Sequence, residues 1–179
     1  LKRVLDGNEF NSAKIELYKR VISELPKFQI TGCKGIDYSF CYQYKEFGSE
    51  NVDYDLDYFK QRFLKNFHKG EIDTELLDKD LAYLKEKILE FPREYFLYRD
   101  FQSRNIMIKN DEPFFIDFQS GRKGALLYDI ASLLYDAKAD IPQQIREDLL
   151  EYYLEELKQY AGIDEVKMKQ YFWYFAMIR

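Results

Sequence analysis

The chain has 179 residues, 46% of them hydrophobic and 33% charged, with 27 Lys+Arg against 32 Asp+Glu and a formal net charge of −5. That length and apolar share fit one domain with a sizeable core and exclude a disordered chain, while an acidic pI of about 5.1 argues against nucleic acid as a partner. No apolar run approaches the roughly 18 residues of a membrane span, and only 8 Gly and 4 Pro favour helices over a turn-rich all-β fold. The opening residues lack the apolar region and cleavage site of a signal peptide. Cys33 and Cys41 suit neither a disulfide scaffold nor a zinc site, so a reducing, cytoplasmic setting is expected.

The spacing of Ile15, Tyr18, Ile22 and Leu25 predicts a helix over 12–25, capped by Asn11 or Ser12 and ended or kinked at Pro26. From Ile30 to Asn51 the chain carries Gly32, Gly35 and Gly48 among Tyr38, Phe40, Tyr42 and Tyr44. This reads as an aromatic loop, either packed on the core or walling a pocket, with core packing the simpler choice. Leu56, Phe59, Phe63 and Phe67 form a second helical stripe, and Leu77, Leu81, Leu84 and Ile88 a third, opened by Asp73 or Thr74 and stopped before Pro92. Both stripes are assigned to core faces. The single His68 falls in a polar stretch and reads as a solvated helix end, not a ligand or base.

After Pro92 the texture becomes β-prone, over 95–99, 105–109 and 114–117. The last two runs are joined as a hairpin through a four-residue turn at 110–113. Helices resume at 128–135, at 142–160 after a cap-like Asp140, and from Asp164 to the end, with no capping signal after Arg179. The expected class is α+β, mainly α.

Three polar residues interrupt the β-prone stretch: Asp100, Asn105 and Asp117. A hairpin closed at 110–113 sets Ile106 opposite Asp117 and leaves Asn105 and Asp117 at one end of the ladder. Strict alternation points the two side chains to opposite faces unless Asn105 lies just outside the ladder, where the backbone turns. The loop 100–104 then brings Asp100 to the same mouth. One base and two hard oxygen donors result, the set that phosphoryl transfer with Mg²⁺ uses. On spacing alone D-x-x-x-x-N is common in ordinary turns.

The longer run is more specific: Phe96-Leu97-Tyr98-Arg99-Asp100-Phe101-Gln102-Ser103-Arg104-Asn105-Ile106, then Ile116-Asp117-Phe118-Gln119, then Leu127-Tyr128-Asp129-Ile130-Ala131. It resembles the aminoglycoside phosphotransferase/choline kinase family, a branch of the protein-kinase-like superfamily, and within it bacterial kinases of cell-wall amino sugars such as N-acetylmuramate and N-acetylglucosamine. The resemblance covers 96–134 closely and the flanking helices loosely. It implies ATP as phosphate donor, Mg²⁺ as cofactor, and transfer to a hydroxyl of a small molecule, a sugar or amino sugar. It further implies Asp100 as catalytic base, Asn105 and Asp117 as metal and nucleotide ligands, and Asp129 as structural support of the catalytic loop.

Where relatives often carry a His or Lys two residues after the base, this chain has Gln102, which supplies no positive charge. Phosphate or substrate contact is therefore expected from Arg99 or Arg104, either of which is equally able to pair with acidic partners, with Gln102 and Asp37 as further candidates. The resemblance also implies an N-terminal ATP-binding lobe that these residues do not contain, so 1–179 is expected to be a C-terminal, substrate-binding lobe. The short Gly32-Cys33-Lys34-Gly35 reads as an ordinary turn and not as a phosphate loop. Two alternatives stay open: a choline- or aminoglycoside-type kinase, with the aromatics of 38–44 as a cage for a quaternary amine or acidic residues such as Asp37, Asp53 and Asp55 for an aminoglycoside, and a non-catalytic kinase-like binding module.

Overall fold

The computed structural model describes Leu1 and residues 10–179. The helices are α1 (Ser12–Pro26), α2 (Ser49–Tyr58), α3 (Thr74–Glu90), α4 (Leu126–Leu134), α5 (Gln143–Lys158) and α6 (Glu165–Ile178). Two small antiparallel sheets lie between α3 and α4: β1 (Tyr95–Leu97) pairs with β4 (Arg122–Gly124), and β2 (Ile106–Lys109) with β3 (Glu112–Phe115). The architecture is α+β and mainly helical, as the element pattern predicts. Among the described residues no helix is long and apolar enough to cross a membrane.

Local chemistry explains the helix ends. Asn11, Asp73 and Asp164 cap α1, α3 and α6, each side chain accepting a backbone N–H near 3 Å that the first turn leaves without an intrahelical partner. Pro26 closes α1 without ending the coil. Its missing N–H and its ring break the regular ladder, and a π-helical turn, Lys27–Thr31, follows. Asp140 caps nothing; it takes a left-handed φ of 45° in the turn before α5, and Pro142 stands at the cap position instead.

The core centres on α4, whose nine residues are all buried. β1 and α6 pack against it, α5 closes over it and over α1, and α3 joins α6 to α2. Leu127, Ile130 and Leu133 are fully enclosed, and each such side chain contributes roughly 1.5–3 kcal/mol by leaving water. β4 is not legible in the sequence, because Arg122-Lys123-Gly124 has no β-branched or aromatic residue. Its conformation comes from its partners: β1 on one side and the segment 45–47 on the other, where Phe47 N donates to Lys123 O at 2.7 Å and Lys123 N to Lys45 O at 3.0 Å. A β-carbon on Gly124 would lie 2.8 Å from Leu97 Cβ, so only glycine lets β4 approach β1 this closely.

Three sequence readings need correction. The hairpin turn has two residues, not four: Lys109 faces Glu112 and Ile106 faces Phe115, while Asn110 and Asp111 take left-handed φ values of 51° and 62°. Asn and Asp tolerate that conformation, and a turn built this way matches the right-handed twist of the strands. Ile116 N donates to Asn105 O, which fixes the alternation and places Pro113 at a non-hydrogen-bonded pair, where its missing N–H costs nothing.

The second correction concerns the aromatic stripe. Leu56 is buried, but Phe63 and Phe67 are 55% and 70% exposed, and the helix carrying them opens after α2 into a π-helical segment, Phe59–Leu64, and a last turn, Lys65–Phe67. In the third stripe Leu84 and Ile88 are buried while Leu77 and Leu81 are half-buried. Periodicity identifies an apolar face without saying what covers it. Third, the loop 38–44 is not core: Phe40 and Tyr42 stand in solvent, and Tyr44 lies under the buried Arg122 guanidinium, 5.6 Å from its ring centre.

Candidate active site

The β1 strand delivers Tyr98, Arg99 and Asp100 to the mouth between the two sheets. Arg99 has a left-handed φ of 73°, a conformation that costs a non-glycine residue about 1–2 kcal/mol. The buried carboxylate of Asp129 on α4 holds it there. Its two oxygens accept from Tyr98 N and Arg99 N, both at 2.8 Å. Gln29 Nε2 donates to the same carboxylate at 3.5 Å and to Leu126 O at 2.9 Å, while Tyr153 Oη donates to Gln29 Oε1 at 2.6 Å. Burial pushes the Asp129 carboxyl up to about 7, against the opposing pull of the two backbone donors.

Downstream of Asp100 the loop is tied by its own polar groups. Asp100 O accepts from Gln102 N at 2.9 Å and from Asn105 Nδ2 at 2.9 Å. A single 3-10 turn, Ser103–Asn105, leads into β2. Donation through Nδ2 keeps the Asn105 Oδ1 as an acceptor. Asp117, one residue past the Asn105–Ile116 pair, has a left-handed φ of 73°, and Gln119 Nε2 donates to its Oδ1 at 2.8 Å. Tyr98 Oη donates to Ile116 O at 2.7 Å and links the two loops. Its phenol is pushed up to about 12 by burial, with Asp129, Asp117 and Asp100 adding to the shift.

Asp100, Asn105 and Asp117 are thus gathered at one end of the hairpin. Arg99 lies beside them, its Nη2 3.7 Å from Asp55 Oδ1. Arg104 is exposed, with no described carboxylate in ion-pairing distance, and Gln102 is half-buried in the loop. Asp37 is elsewhere in its chemistry: it caps the 3-10 turn Tyr38–Phe40 by accepting from Ser39 N at 2.9 Å, and hydrogen bonding from the Ser39 side chain and then its backbone N–H holds its carboxyl below the ordinary value. Among the described residues no group of three or more His, Cys, Asp or Glu gathers to hold a metal. The Asn105 amide oxygen and the Asp117 carboxylate offer two hard donors, a small set that suits Mg²⁺ completed by phosphate and water.

Two further acidic residues belong to this neighbourhood: Asp136, which sequence reasoning did not single out, and Asp55, which it names only as one of several nearby carboxylates. Asp136, just past α4, accepts from Ser103 N at 3.1 Å and from Ser103 Oγ at 2.5 Å, so the loop is tied at two points, by α4 and by the segment that follows it. Asp55 on α2 is only 18% exposed. Its carboxyl is raised by burial and by Asp100, against the pull of Arg99, Arg179 and Arg122. In a chain with 32 Asp+Glu, neither carries a local signal that separates it from a solvated helix charge.

Residues 48–166 match the phosphotransferase enzyme family, APH. The N-acetylmuramate/N-acetylglucosamine kinase of Neisseria meningitidis serogroup B is 27% identical over 150 residues, which cover 82% of this chain and 42% of that protein. Among solved structures, an amicoumacin kinase in complex with AMP-PNP, Ca²⁺ and amicoumacin superposes with a TM-score of 0.63 at 15% identity, over 97% of this chain and 52% of that one. A choline kinase from Cryptosporidium parvum superposes with a TM-score of 0.61 at 15% identity, over 92% and 56%. These likenesses show a protein-kinase-like fold, of which this chain has the mainly helical lobe, and the chain spans about half the length of the proteins it matches. With the family match covering well over half of its residues, the chain belongs to the APH phosphotransferase family.

Proposed function

We propose that the protein containing this chain transfers the γ-phosphoryl group of ATP to a hydroxyl of a sugar or amino sugar. The observation that carries the reading is the convergence of Asp100, Asn105 and Asp117 on one end of the hairpin, tied by hydrogen bonds through a loop that Asp129 clamps. Asp100 is the base: it orients the acceptor hydroxyl and takes its proton as the new O–P bond forms and the bond to the leaving ADP oxygen breaks. Asn105 Oδ1 and the Asp117 carboxylate hold Mg²⁺, which when bound neutralises charge on the phosphates. Arg99 and Arg104 are the nearest cations for the transferred group, in place of the charge that Gln102 lacks.

ATP is gripped in part by an N-terminal lobe outside these residues, so 1–179 is a C-terminal substrate-binding lobe that does not turn over alone. Phosphoryl transfer depends on positioning and electrostatic clamping, and half of that clamp lies elsewhere. ATP as donor and free cysteines fit a cytoplasmic enzyme. The relative that is a kinase of N-acetylmuramate and N-acetylglucosamine supports a sugar acceptor. A choline cage at 38–44 has less support, because Tyr44 is occupied by Arg122 and its neighbours are splayed into solvent.

The test is a mass-shift assay of the full-length protein with ATP and Mg²⁺ against N-acetylglucosamine, N-acetylmuramate, simple sugars, choline and aminoglycosides, with 1–179 run in parallel. Phosphorylation of a sugar by the full-length protein alone is expected. Turnover of choline with none on any sugar overturns the acceptor, and equal kcat/KM from the fragment overturns the division of the ATP site.

A further inference from the structure

Beneath the loop 98–105 the polar side chains of Gln29, Asp129 and Tyr153 meet in the core, each fully enclosed. Gln29 is the buried residue of the π-helical turn Lys27–Thr31. The break in the regular coil after Pro26 thus aims an amide at α4, and π-helical turns inside helices recur at functional sites. The amide is fixed from both ends. Its Nε2 donates to Leu126 O at 2.9 Å, and its Oε1 accepts from Tyr153 Oη at 2.6 Å. Turning it over would set Oε1 against the Leu126 carbonyl, acceptor to acceptor. Gln29 therefore shows Asp129 only a donor, Nε2 at 3.5 Å from Oδ2.

The described hydrogen-bond partners of the Asp129 carboxylate all donate to it: Gln29 Nε2, Tyr98 N and Arg99 N. From the end of α6, Arg179 favours the charged form without an ion pair, its Nη1 donating to Tyr128 Oη at 2.9 Å. The Tyr98 and Tyr153 phenols, from the loop and from α5, are neutral neighbours whose hydrogens go to Ile116 O and to Gln29 Oε1. Against the donors stands burial, which lifts the carboxyl to about 7. The charge on Asp129 is thus balanced near neutral pH, and each donor counts. A protonated carboxyl carries a hydroxyl in place of one acceptor oxygen, so it holds Tyr98 N or Arg99 N less firmly. Arg99 is the left-handed residue directly before Asp100.

We propose, resting on the phosphotransfer reading above, that Gln29 is a positioning residue: its locked amide keeps Asp129 ionised, and the ionised clamp keeps Asp100 in place for proton transfer. Gln29 acts through the clamp alone, from the core. A side chain with only a packing role would lower stability at every pH, whereas one that sets a charge moves a midpoint.

The experiment uses the full-length protein isotope-labelled at the aspartate γ-carbon, with the Asp129 signal identified by its loss in Asp129→Asn. Carbon NMR against pH reads the clamp independently of turnover, and kcat against pH with ATP, Mg²⁺ and N-acetylglucosamine reads the reaction. In the wild type the Asp129 midpoint and a step in kcat are expected to coincide. The acid side should be about fivefold slower, the scale of turning one charge-assisted hydrogen bond into a neutral one. Gln29→Met keeps the length of the side chain and removes the donor. It is expected to raise both midpoints by about half a pH unit, to regain wild-type kcat above the new midpoint, and to leave both KM values unchanged. Tyr153→Phe, which removes a buried hydroxyl and keeps the donor, is expected to lower the melting temperature and leave the midpoints in place. A carboxyl midpoint that Gln29→Met does not raise overturns the proposal, as does one that Tyr153→Phe raises equally. Should Gln29→Met not fold, wild-type midpoints more than about one pH unit apart overturn it alone. A carboxyl that Gln29→Met shifts in a protein that phosphorylates none of the acceptors keeps Gln29 at the clamp and overturns the phosphotransfer reading instead.

Discussion

The loop 98–105 and the aromatic wall of Tyr54, Tyr58, Phe59 and Phe63 are linked where Asp55 meets Arg99 but are built on opposite principles. Around the loop, polar groups are buried and paired: Asp129 and Asp136 hold Tyr98, Arg99 and Ser103 through backbone and hydroxyl hydrogen bonds. On the wall, apolar rings stand exposed with no polar tie. Buried polar pairs fix one geometry, because each unmade bond costs the full desolvation of the group. Exposed rings fix no geometry and supply contact area that is sequence-tolerant and adaptable. The comparison separates a region that fixes geometry from one that offers open contact area.

The largest expected break falls on the base. Asp100→Asn in the full-length protein should lower kcat by roughly 10²–10⁴-fold, the usual worth of a positioned proton acceptor, with nucleotide affinity retained by calorimetry. A kcat near wild type would remove Asp100 from that role.

Next is the clamp. Asp129→Ala leaves two backbone N–H groups buried without partners and should destabilise by about 2–5 kcal/mol in urea unfolding. Its titration sharpens the point. Because the folded carboxyl is raised to about 7 while the unfolded one ionises near 4, the folded state binds the proton more tightly. Stability should fall as pH rises from about 4 to about 7. Asp129→Asn should flatten that slope in melting scans at matched ionic strength, and an unchanged slope would assign it to other groups.

A smaller effect is expected at the other end of the loop. Ser103→Ala should cost about 1–2 kcal/mol of stability and several-fold in kcat with little change in the acceptor KM. Equal losses in both parameters would make Asp136 a general structural support. The smallest effect belongs to the exposed end of the aromatic stripe: Phe67→Ser, at a side chain 70% exposed, should change stability by less than about 0.5 kcal/mol, whereas a core residue at that site would cost several times more.

The proposed constellation was legible as a cluster because its placement is local: Asp100, Asn105 and Asp117 interrupt β-prone runs at spacings that a short hairpin brings together. The hairpin register was not, since Pro113 reads as a turn residue until pairing shows that it sits where no donor is needed. Helix ends at Asn11, Asp73 and Asp164 were readable from side chains that cap their own first turn. The pairing of Asp55 with Arg99 and the whole role of Asp136 were not readable, because they lie in partners 44 and 33 positions away. The aromatic stripe was misread for a related reason: its spacing is that of a core face, and exposure is decided by neighbours the sequence does not reveal.

Gly124 ties these regions to one seam. It sits where β4 touches β1, with no room for a β-carbon against Leu97. Three residues beyond Leu97 is Asp100, and five beyond Gly124 is Asp129, so base and clamp hang from the two strands that meet there. A methyl group at 124 would act as a wedge: it would spread the strands and swing the two carboxylates out of step, although the glycine itself carries no functional group. Tolerance to substitution in this lobe therefore follows the seam, and distance from the reacting atoms is a poor guide to which positions are free to vary.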